Sequence, residues 1–257
     1  MSPPGKRDSL GRSFDRAAAE YEAGRPGYPE VLVDWWASRG AFPRGGRVLD
    51  LAAGTGKLTR ALVGRGVAVV AVEPLAGMRA QLTAVPALGG VTVLDGTAEA
   101  IPLEDASVDT VVVGQALHWF DPAVALPEIA RVLRPGGGLG LAWNDDDLDG
   151  APAWVRLVNA RTESIGGGSV RVGVEPSRQS VVASGLFGPL ESATFRWAQH
   201  TTAGAALDSL ASRSHVIALD PRARRALLDE VAATIGAAAE EPLEHPLVTV
   251  AFWGCRT

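Results

Sequence analysis

From about residue 47 the apolar positions fall into short, unbroken runs separated by amphipathic stretches. "RVLDLA" (47–52), "VAVVAVEP" (67–74), "VTVLDG", "VDTVVVGQ" (108–115) and "GLGLAWN" (138–144) carry apolar side chains at successive positions, the pattern of strands covered on both faces. Between them "KLTRALVGRG" (57–66), "LAGMRAQLTAV" and "AVALPEIARVLRPGG" have helical spacing. Strands that alternate with helices in this way predict a doubly wound α/β domain built on a parallel sheet.

On either side the rhythm changes. Residues 1–45 hold two helix-compatible stretches, "SFDRAAAEYEAG" and "PEVLVDWWASRGA", broken at "RPGYP", where proline and glycine forbid a continuous helix. We read 1–45 as a helical lid and 46–144 as the α/β core. After Asn144 the pattern loosens into glycines, serines and acids up to about residue 200. "ALDSLASRSHVI" and "PRARRALLDEVAATIGAA" then read as helices and "LVTVAFWGCR" as a closing strand. The middle stretch is too long for a connection, so 145–235 is expected to be a small inserted cap with helices, and 236–257 to close the sheet.

Composition narrows the function. The chain has 257 residues, 47% hydrophobic and 21% charged, with a formal charge of −5, which gives no global attraction to nucleic acid or anionic membrane. No basic, aromatic-interleaved stripe marks a nucleic-acid partner. Cys255 is the single cysteine, so an intramolecular disulfide and a cysteine zinc cluster are excluded. The N-terminal residues lack the apolar core of a signal peptide, and no apolar run approaches the ~20 residues that span a bilayer. A soluble, cytoplasmic protein with no membrane partner is expected.

The most informative stretch is "VLDLAAGTGKL" (48–58). A strand ending at Asp50 or Leu51, a turn "AAGTG" and a helix from Lys57 place backbone amides at the switch point of the sheet, where open α/β folds bind ligands. The small residues allow a ligand close to the backbone. Asp50 adds negative charge that a pyrophosphate would not tolerate and an amino acid's ammonium group would favour. Glu73, at the end of the second strand, is placed to accept hydrogen bonds from the two hydroxyls of a ribose. The pattern suits a nucleoside bearing a cationic amino-acid tail.

"VLDLAAGTGKLT", "VVAVEP" followed by Met78, "LDGTAEAIPLEDASVDTVVVGQALHWFD" and "IARVLRPGGGLGLAW" resemble, in order and spacing, the successive motifs of class I S-adenosylmethionine-dependent methyltransferases. More narrowly they are similar to the small-molecule branch of the type 11 kind, to which "FDRAAAEYEAGRPGYP" also belongs in style. The likeness runs from about Phe14 to Trp143. It implies a seven-stranded, mostly parallel Rossmann-like sheet with S-adenosylmethionine as cofactor and S-adenosylhomocysteine as product. It implies that Asp50 and the Ala52, Ala53 and Gly54 backbone hold the methionine moiety, with Thr55 in the same turn and Gly56 starting the helix close by. Relatives often carry glycine where Ala52 stands. Glu73 would take the ribose, and Pro74 and Met78 would pack on the adenine. Ala98 would offer backbone to the adenine edge. Thr97 stands where relatives commonly carry aspartate, so Glu99 would share that duty. Gln115 would line the cofactor pocket. Tyr21 and Arg25 lie in the segment that folds over the cofactor, where Arg25 either pairs with the methionine carboxylate or holds "RPGYP" from the surface. Phe14 belongs to the same lid, beside substrate or as packing.

Methyl transfer from a sulfonium is an in-line displacement helped by alignment and desolvation, and a base is needed only when the acceptor must lose a proton. In "GQALHWFD" (114–121) Trp119 and Phe120 would form an apolar wall at the acceptor, and His118 is the side chain there that titrates near neutrality. His118 is therefore the candidate catalytic base, with packing beside the cofactor as its alternative role. Asn144 and Arg213 are candidates for polar contacts to the acceptor, or for structural tethers. His200, His215 and His245 lack metal-ligand spacing, and the acids 145–147 read as a solvated run, so no metal is expected. Two other functions remain open on these residues: a nicotinamide-dependent oxidoreductase, and a non-catalytic nucleoside-binding protein on the same fold. The expected partner is a small-molecule acceptor, and a monomer or homodimer fits equally.

Overall fold

A computed structural model describes residues 18–165, 171–238 and 242–257. Its strands are β1 (Arg47–Leu51), β2 (Ala68–Val72), β3 (Thr92–Leu94), β4 (Val108–Gly114), β5 (Leu133–Asp146), β6 (Glu191–Thr201) and β7 (Leu243–Cys255). They form one seven-stranded sheet of order β3-β2-β1-β4-β5-β7-β6. β1 pairs in parallel with β2 and β4, β2 with β3, and β4 with β5. The expected mostly parallel, doubly wound sheet is present.

The reason the strands read as unbroken apolar runs is visible in the packing. Leu49, Val70, Val111 and Leu139 enter one buried cluster, while their neighbours Val48, Val69 and Val112 enter another. Successive side chains point to opposite faces and both faces are covered. The chain moves outward from β1 through β2 to β3 and then places β4 on the other side of β1, so the order reverses between β1 and β4. That reversal opens a crevice at the carboxyl ends of these two strands.

The ten helices of the described residues are α1 (Ala18–Gly24), α2 (Glu30–Ala37), α3 (Lys57–Leu62), α4 (Ala76–Thr83), α5 (Pro122–Val132), α6 (Ala153–Ser164), α7 (Arg171–Ser184), α8 (Ala203–Ala211), α9 (Ser214–Ile217) and α10 (Pro221–Ala238). The chain divides into two compact units. One gathers the described residues of Met1–Pro26, Asp145–Ser169 and Arg196–Val248, and the other those of Gly27–Asn144, Val170–Phe195 and Thr249–Thr257. The first, a cap, has its own core, in which Trp154, Val155 and Val158 of α6 meet Leu210 of α8 and Val231 and Ile235 of α10.

Three boundaries differ from those read in the sequence. The lid expected over 1–45 divides at Pro26, with α1 in the cap unit and α2 in the α/β unit. The stretch 145–200, expected as cap, contains α7, which belongs to the α/β unit, and the sheet strand β6. β6 is half-buried with exposure alternating along "ESATFRWAQHT", so it lacks the apolar run by which the inner strands are recognised. The helix expected over "AVALPEIARVLRPGG" stops at Val132, where Leu133 turns extended (φ −69°, ψ 138°) and β5 begins. Proline at 135 disfavours helical geometry in the residue before it.

The glycines of "RPGGGLGLAW" serve packing. A Cβ at Gly140 would lie 2.9 Å from the Trp36 ring, and one at Gly138 would lie 2.0 Å from the Trp253 ring. Both tryptophans are buried, and the Trp36 indole N–H donates to the Phe252 carbonyl at 3.2 Å. Among the described residues no helix is long and apolar enough to cross a membrane. We predict that Gly138→Ala destabilises the protein by about 2–3 kcal/mol, the upper part of the range for overpacking a filled core, measured by denaturant unfolding. A change under about 0.5 kcal/mol, typical of a surface site, would show that Trp253 moves aside freely.

Candidate functional site

The turn from β1 into α3 places three left-handed residues within five positions: Ala52 (φ 58°), Gly54 (φ 58°) and Gly56 (φ 84°). At Gly56 glycine is required twice over, because a Cβ there would also lie 2.9 Å from Leu88 Cδ1 and 3.0 Å from Leu82 Cγ. At Ala52 an L side chain holds this conformation at a cost of about 1–2 kcal/mol, the kind of strain that collects at functional sites. Gly54 is different: an ideal Cβ there meets nothing within 4 Å. The turn therefore has an open floor of backbone onto which a ligand can settle. Beside it Thr55 is fully buried and its Oγ1 has no hydrogen-bond partner.

Two carboxylates flank this floor. Asp50 is 1% exposed and accepts a 2.6 Å hydrogen bond at Oδ2 from Thr59 Oγ1 of α3. Burial pushes its pKa up to about 7; the Thr59 hydrogen bond opposes this and the nearby Glu73 charge adds to it. Glu73, 5% exposed, accepts the Gly54 N–H at Oε2 and the Leu75 N–H at Oε1, each at 2.9 Å. It thus ties the end of β2 to the β1 turn. Of the residues expected at the adenine, Met78 is buried on α4, Pro74 is exposed and Ala98 is buried. Thr97 is exposed, and its backbone bridges Ala100. The Glu99 carboxylate accepts the Asp121 N–H at 2.9 Å, at the start of α5.

The β4 side of the crevice is built around Asn144. Its side-chain amide donates to the Gly27 carbonyl at 2.7 Å, its Oδ1 accepts from Thr249 Oγ1 at 2.6 Å, and its backbone carbonyl accepts from Gln115 Nε2 at 2.8 Å. Gln115 itself is left-handed (φ 58°). Holding Gly27 fixes Tyr28, whose hydroxyl would lie 2.4 Å from a Cβ at Gly114. The register that pairs Asp50 with Val112 brings the two chains out of the sheet side by side, with strained Ala52 on one and Gly114 on the other.

Tyr28 and Thr249 are site residues that reading the sequence missed. "RPGYP" registers there as a helix breaker, and the contact of Tyr28 with Gly114 is made only by folding. Asn144, a candidate acceptor contact, is buried and spends its side chain on Gly27 and Thr249.

His118 lies in the single turn Leu117–Trp119 after β4. Its ring stands 5.0 Å from that of Trp119, and a Cβ at Gly173 of α7 would lie 3.2 Å from its Cβ and Cγ. The residue as a whole is exposed, yet this packing desolvates the ring and pulls its pKa down to about 4. Trp119 is 38% exposed and Phe120 is buried.

The remaining candidates belong to the cap unit. Arg25 lies over the Tyr21 ring at 5.3 Å and donates from Nε to Ser212 Oγ at 3.0 Å. Arg213 pairs with Asp146 at 3.1 Å. Phe14 lies outside the described residues. Among the described residues no group of three or more histidines, cysteines or acids is arranged to hold a metal.

The methyltransferase-domain family matches residues 49–141. An uncharacterized methyltransferase of Mycobacterium tuberculosis is 46% identical over 225 residues, 88% of this chain and 86% of that protein. Among solved structures, a protein of Anaeromyxobacter dehalogenans described as a type II methyltransferase superposes with a TM-score of 0.60 at 26% identity, covering 90% of this chain and 97% of the other. Phosphoethanolamine N-methyltransferase 2 of Haemonchus contortus, solved with S-adenosylhomocysteine and phosphomonomethylethanolamine, gives 0.56 at 18% identity over 94% of this chain and 57% of that one. At that identity the likeness is one of fold.

The raised Asp50 pKa has a definite sign. Its contribution to stability is complete below the unfolded value of 3.8, declines as pH rises, and is lost once pH passes about 7. The difference in unfolding free energy between the wild type and Asp50→Asn is therefore expected to shift toward the wild type as pH is lowered from 8 to 5. A difference independent of pH would mean that Asp50 is ionised throughout.

Proposed function

As the chain belongs to the class I S-adenosylmethionine-dependent methyltransferase family, we propose that it transfers the methyl group of S-adenosylmethionine to a small organic acceptor. The observation that carries this reading is the open backbone floor at Gly54, flanked by Asp50 and Glu73. An amino-acid tail fits there because its ammonium group answers Asp50 and draws that carboxyl toward its ionised form. Glu73 accepts the Gly54 and Leu75 N–H groups, and a carboxylate, with about four lone-pair sites, can accept a ribose hydroxyl beside such bonds. Two buried carboxylates in contact with the turn disfavour a pyrophosphate, which weighs against a nicotinamide dinucleotide. The H. contortus enzyme, of the same fold, was solved with S-adenosylhomocysteine. The single cysteine suits a reducing cytoplasm, where we place the activity.

When bound, the cofactor supplies an electrophilic methyl group on a sulfonium that leaves as a neutral thioether. The protein's part is alignment and exclusion of water. Ala52, Ala53, Gly54 and Thr55 seat the tail, Glu73 orients the ribose, and Gln115 and Tyr28 border the β4 side. Trp119 and Phe120 line the acceptor side. His118, neutral across physiological pH, offers a hydrogen bond to the acceptor but little driving force for removing a proton, since an effective base titrates near the working pH. We assign it to acceptor orientation.

Calorimetric titration with S-adenosylhomocysteine, run beside NAD, tests the cofactor. Binding of the first alone is expected, and Glu73→Ala should weaken it by about 1–3 kcal/mol, the cost of unpaired buried groups. Binding of NAD and not of S-adenosylhomocysteine would discard the reading. For His118→Asn we expect turnover within about tenfold of wild type and no limb near pH 6.5 in the rate profile; a loss of roughly 10²–10⁴-fold would make it the base.

A further inference from the structure

Threonines inside helices commonly return the side-chain hydroxyl to a carbonyl three or four residues back. Thr83 on α4 bonds in this way to the Arg79 and Ala80 carbonyls, and Thr234 on α10 to that of Glu230. Thr59, in the first turn of α3, turns elsewhere. Its Oγ1 donates to Asp50 Oδ2 on β1 at 2.6 Å, with both residues buried. The Thr59 backbone N–H, one of the donors that a helix start leaves without an intrahelical acceptor, acts on the same carboxylate. The first turn of α3 is thus fastened to an acid at the floor of the crevice.

The groups around Asp50 pull in opposite directions. Its register neighbours across the sheet, Ala71 of β2 and Val112 of β4, bring no charge. Glu73, following β2, is the charged side chain that acts on it, and it adds to the upward push of burial. Lys57 and Arg60 also lie on α3, and neither is among the groups that shift Asp50. The two Thr59 donors oppose burial and Glu73, and the balance falls at about 7. A hydrogen bond to an ionised oxygen is roughly twice as strong as one between neutral groups, so the Thr59 hydroxyl favours the carboxylate over the acid.

We propose that Thr59 is a positioning residue for the cofactor: its hydroxyl holds Asp50 ionised and fixed for the ammonium group of the amino-acid tail, which binds with release of a proton. The proposal rests on the methyl-transfer reading above, which seats that tail beside Asp50. Near neutrality the free protein holds Asp50 partly as acid and partly as carboxylate. A cation beside it favours the carboxylate, so the proton of the acid form passes to solvent as the ligand enters, and no covalent bond other than that O–H changes. Affinity therefore rises with pH up to about 7 and levels off above it. Without the Thr59 hydroxyl Asp50 keeps its proton to higher pH. The binding deficit of such a variant grows as pH falls, because fewer molecules hold the receptive carboxylate. Its stability deficit grows as pH rises, because the unfolded chain is ionised above about 4 while the folded one still carries the proton. A threonine that only packs gives deficits that do not move with pH.

The test compares wild type with Thr59→Val, which keeps the shape and loses the hydroxyl, and with Thr59→Ser, which keeps the hydroxyl. Full-length protein is titrated calorimetrically from pH 6 to 8.5 with S-adenosylhomocysteine and with 5′-methylthioadenosine, which lacks the amino-acid tail. Two buffers of different ionisation enthalpy at pH 7 count the protons released. Wild type is expected to release about half a proton per S-adenosylhomocysteine at that pH, and none with methylthioadenosine. Thr59→Val should bind S-adenosylhomocysteine about tenfold more weakly than wild type at pH 6, the lower end of what a hydrogen bond to a charged group contributes, and within about twofold of it at pH 8.5. Thr59→Ser should follow wild type throughout. A wild type that releases no proton, a Thr59→Val deficit equal at every pH or shared by methylthioadenosine, or a Thr59→Ser that behaves like Thr59→Val overturns the proposal. Where Thr59→Val does not fold, Thr59→Ala is read by the same criteria. A wild type that binds neither ligand strikes the methyl-transfer reading instead, and unfolding then tests the hold of Thr59 on Asp50. A Thr59→Val penalty that grows about tenfold in the unfolding equilibrium constant between pH 6 and 9 supports that hold, and a penalty independent of pH overturns it.

Discussion

Two carboxylates buried at the ends of adjacent strands, Asp50 on β1 and Glu73 after β2, set the terms for everything around them. Asp50 accepts a hydrogen bond from the Thr59 hydroxyl, and Glu73 accepts the Gly54 and Leu75 backbone amides. Burial, with a further push from the Glu73 charge, raises Asp50 to about 7, and a cationic group beside it would favour its ionised form. The same Glu73 hydrogen bond shapes the turn, because it pulls the Gly54 amide toward β2 while the chain curls through left-handed geometry at Ala52, Gly54 and Gly56. Charge and backbone shape are thus one arrangement.

Opposite this edge the crevice is held by hydrogen bonds that converge on Asn144. One amide reaches Gly27 and so seats Tyr28 on Gly114, while the preceding strand contributes Gln115 in a strained conformation. Asn144, open in the sequence to either an acceptor contact or a structural tether, bonds through its side chain to Gly27 and Thr249. His118 shows the converse. Its residue type titrates near neutrality in water, but packing beside Trp119 and Gly173 desolvates the ring and lowers its pKa to about 4.

The cap has a separate logic. Its apolar core packs α6, α8 and α10, yet it also buries an aspartate, a histidine and an arginine together. Such a cluster adds little stability relative to apolar packing. What it achieves is a fixed guanidinium, held by Asp146 and Thr162.

Much of this was legible in the amino-acid order. Runs apolar on both faces, alternating with helical spacing, determine a parallel sheet because only that architecture buries both faces of a strand, and the strand–glycine turn–helix sequence places Asp50 and Glu73 at its switch point. Local chemistry suffices for these, since turn geometry and strand periodicity involve neighbours in sequence. Where the pattern is not local it fails. β6 alternates at a half-buried position and hides within the stretch read as cap; the N-terminal segment divides between two units at Pro26. The Asn144 and Asp146 networks join residues up to 117 positions apart, and no spacing in the chain announces them. Tertiary structure alone decided which polar side chains are spent on the fold, because hydrogen-bond satisfaction is a property of the whole packed molecule.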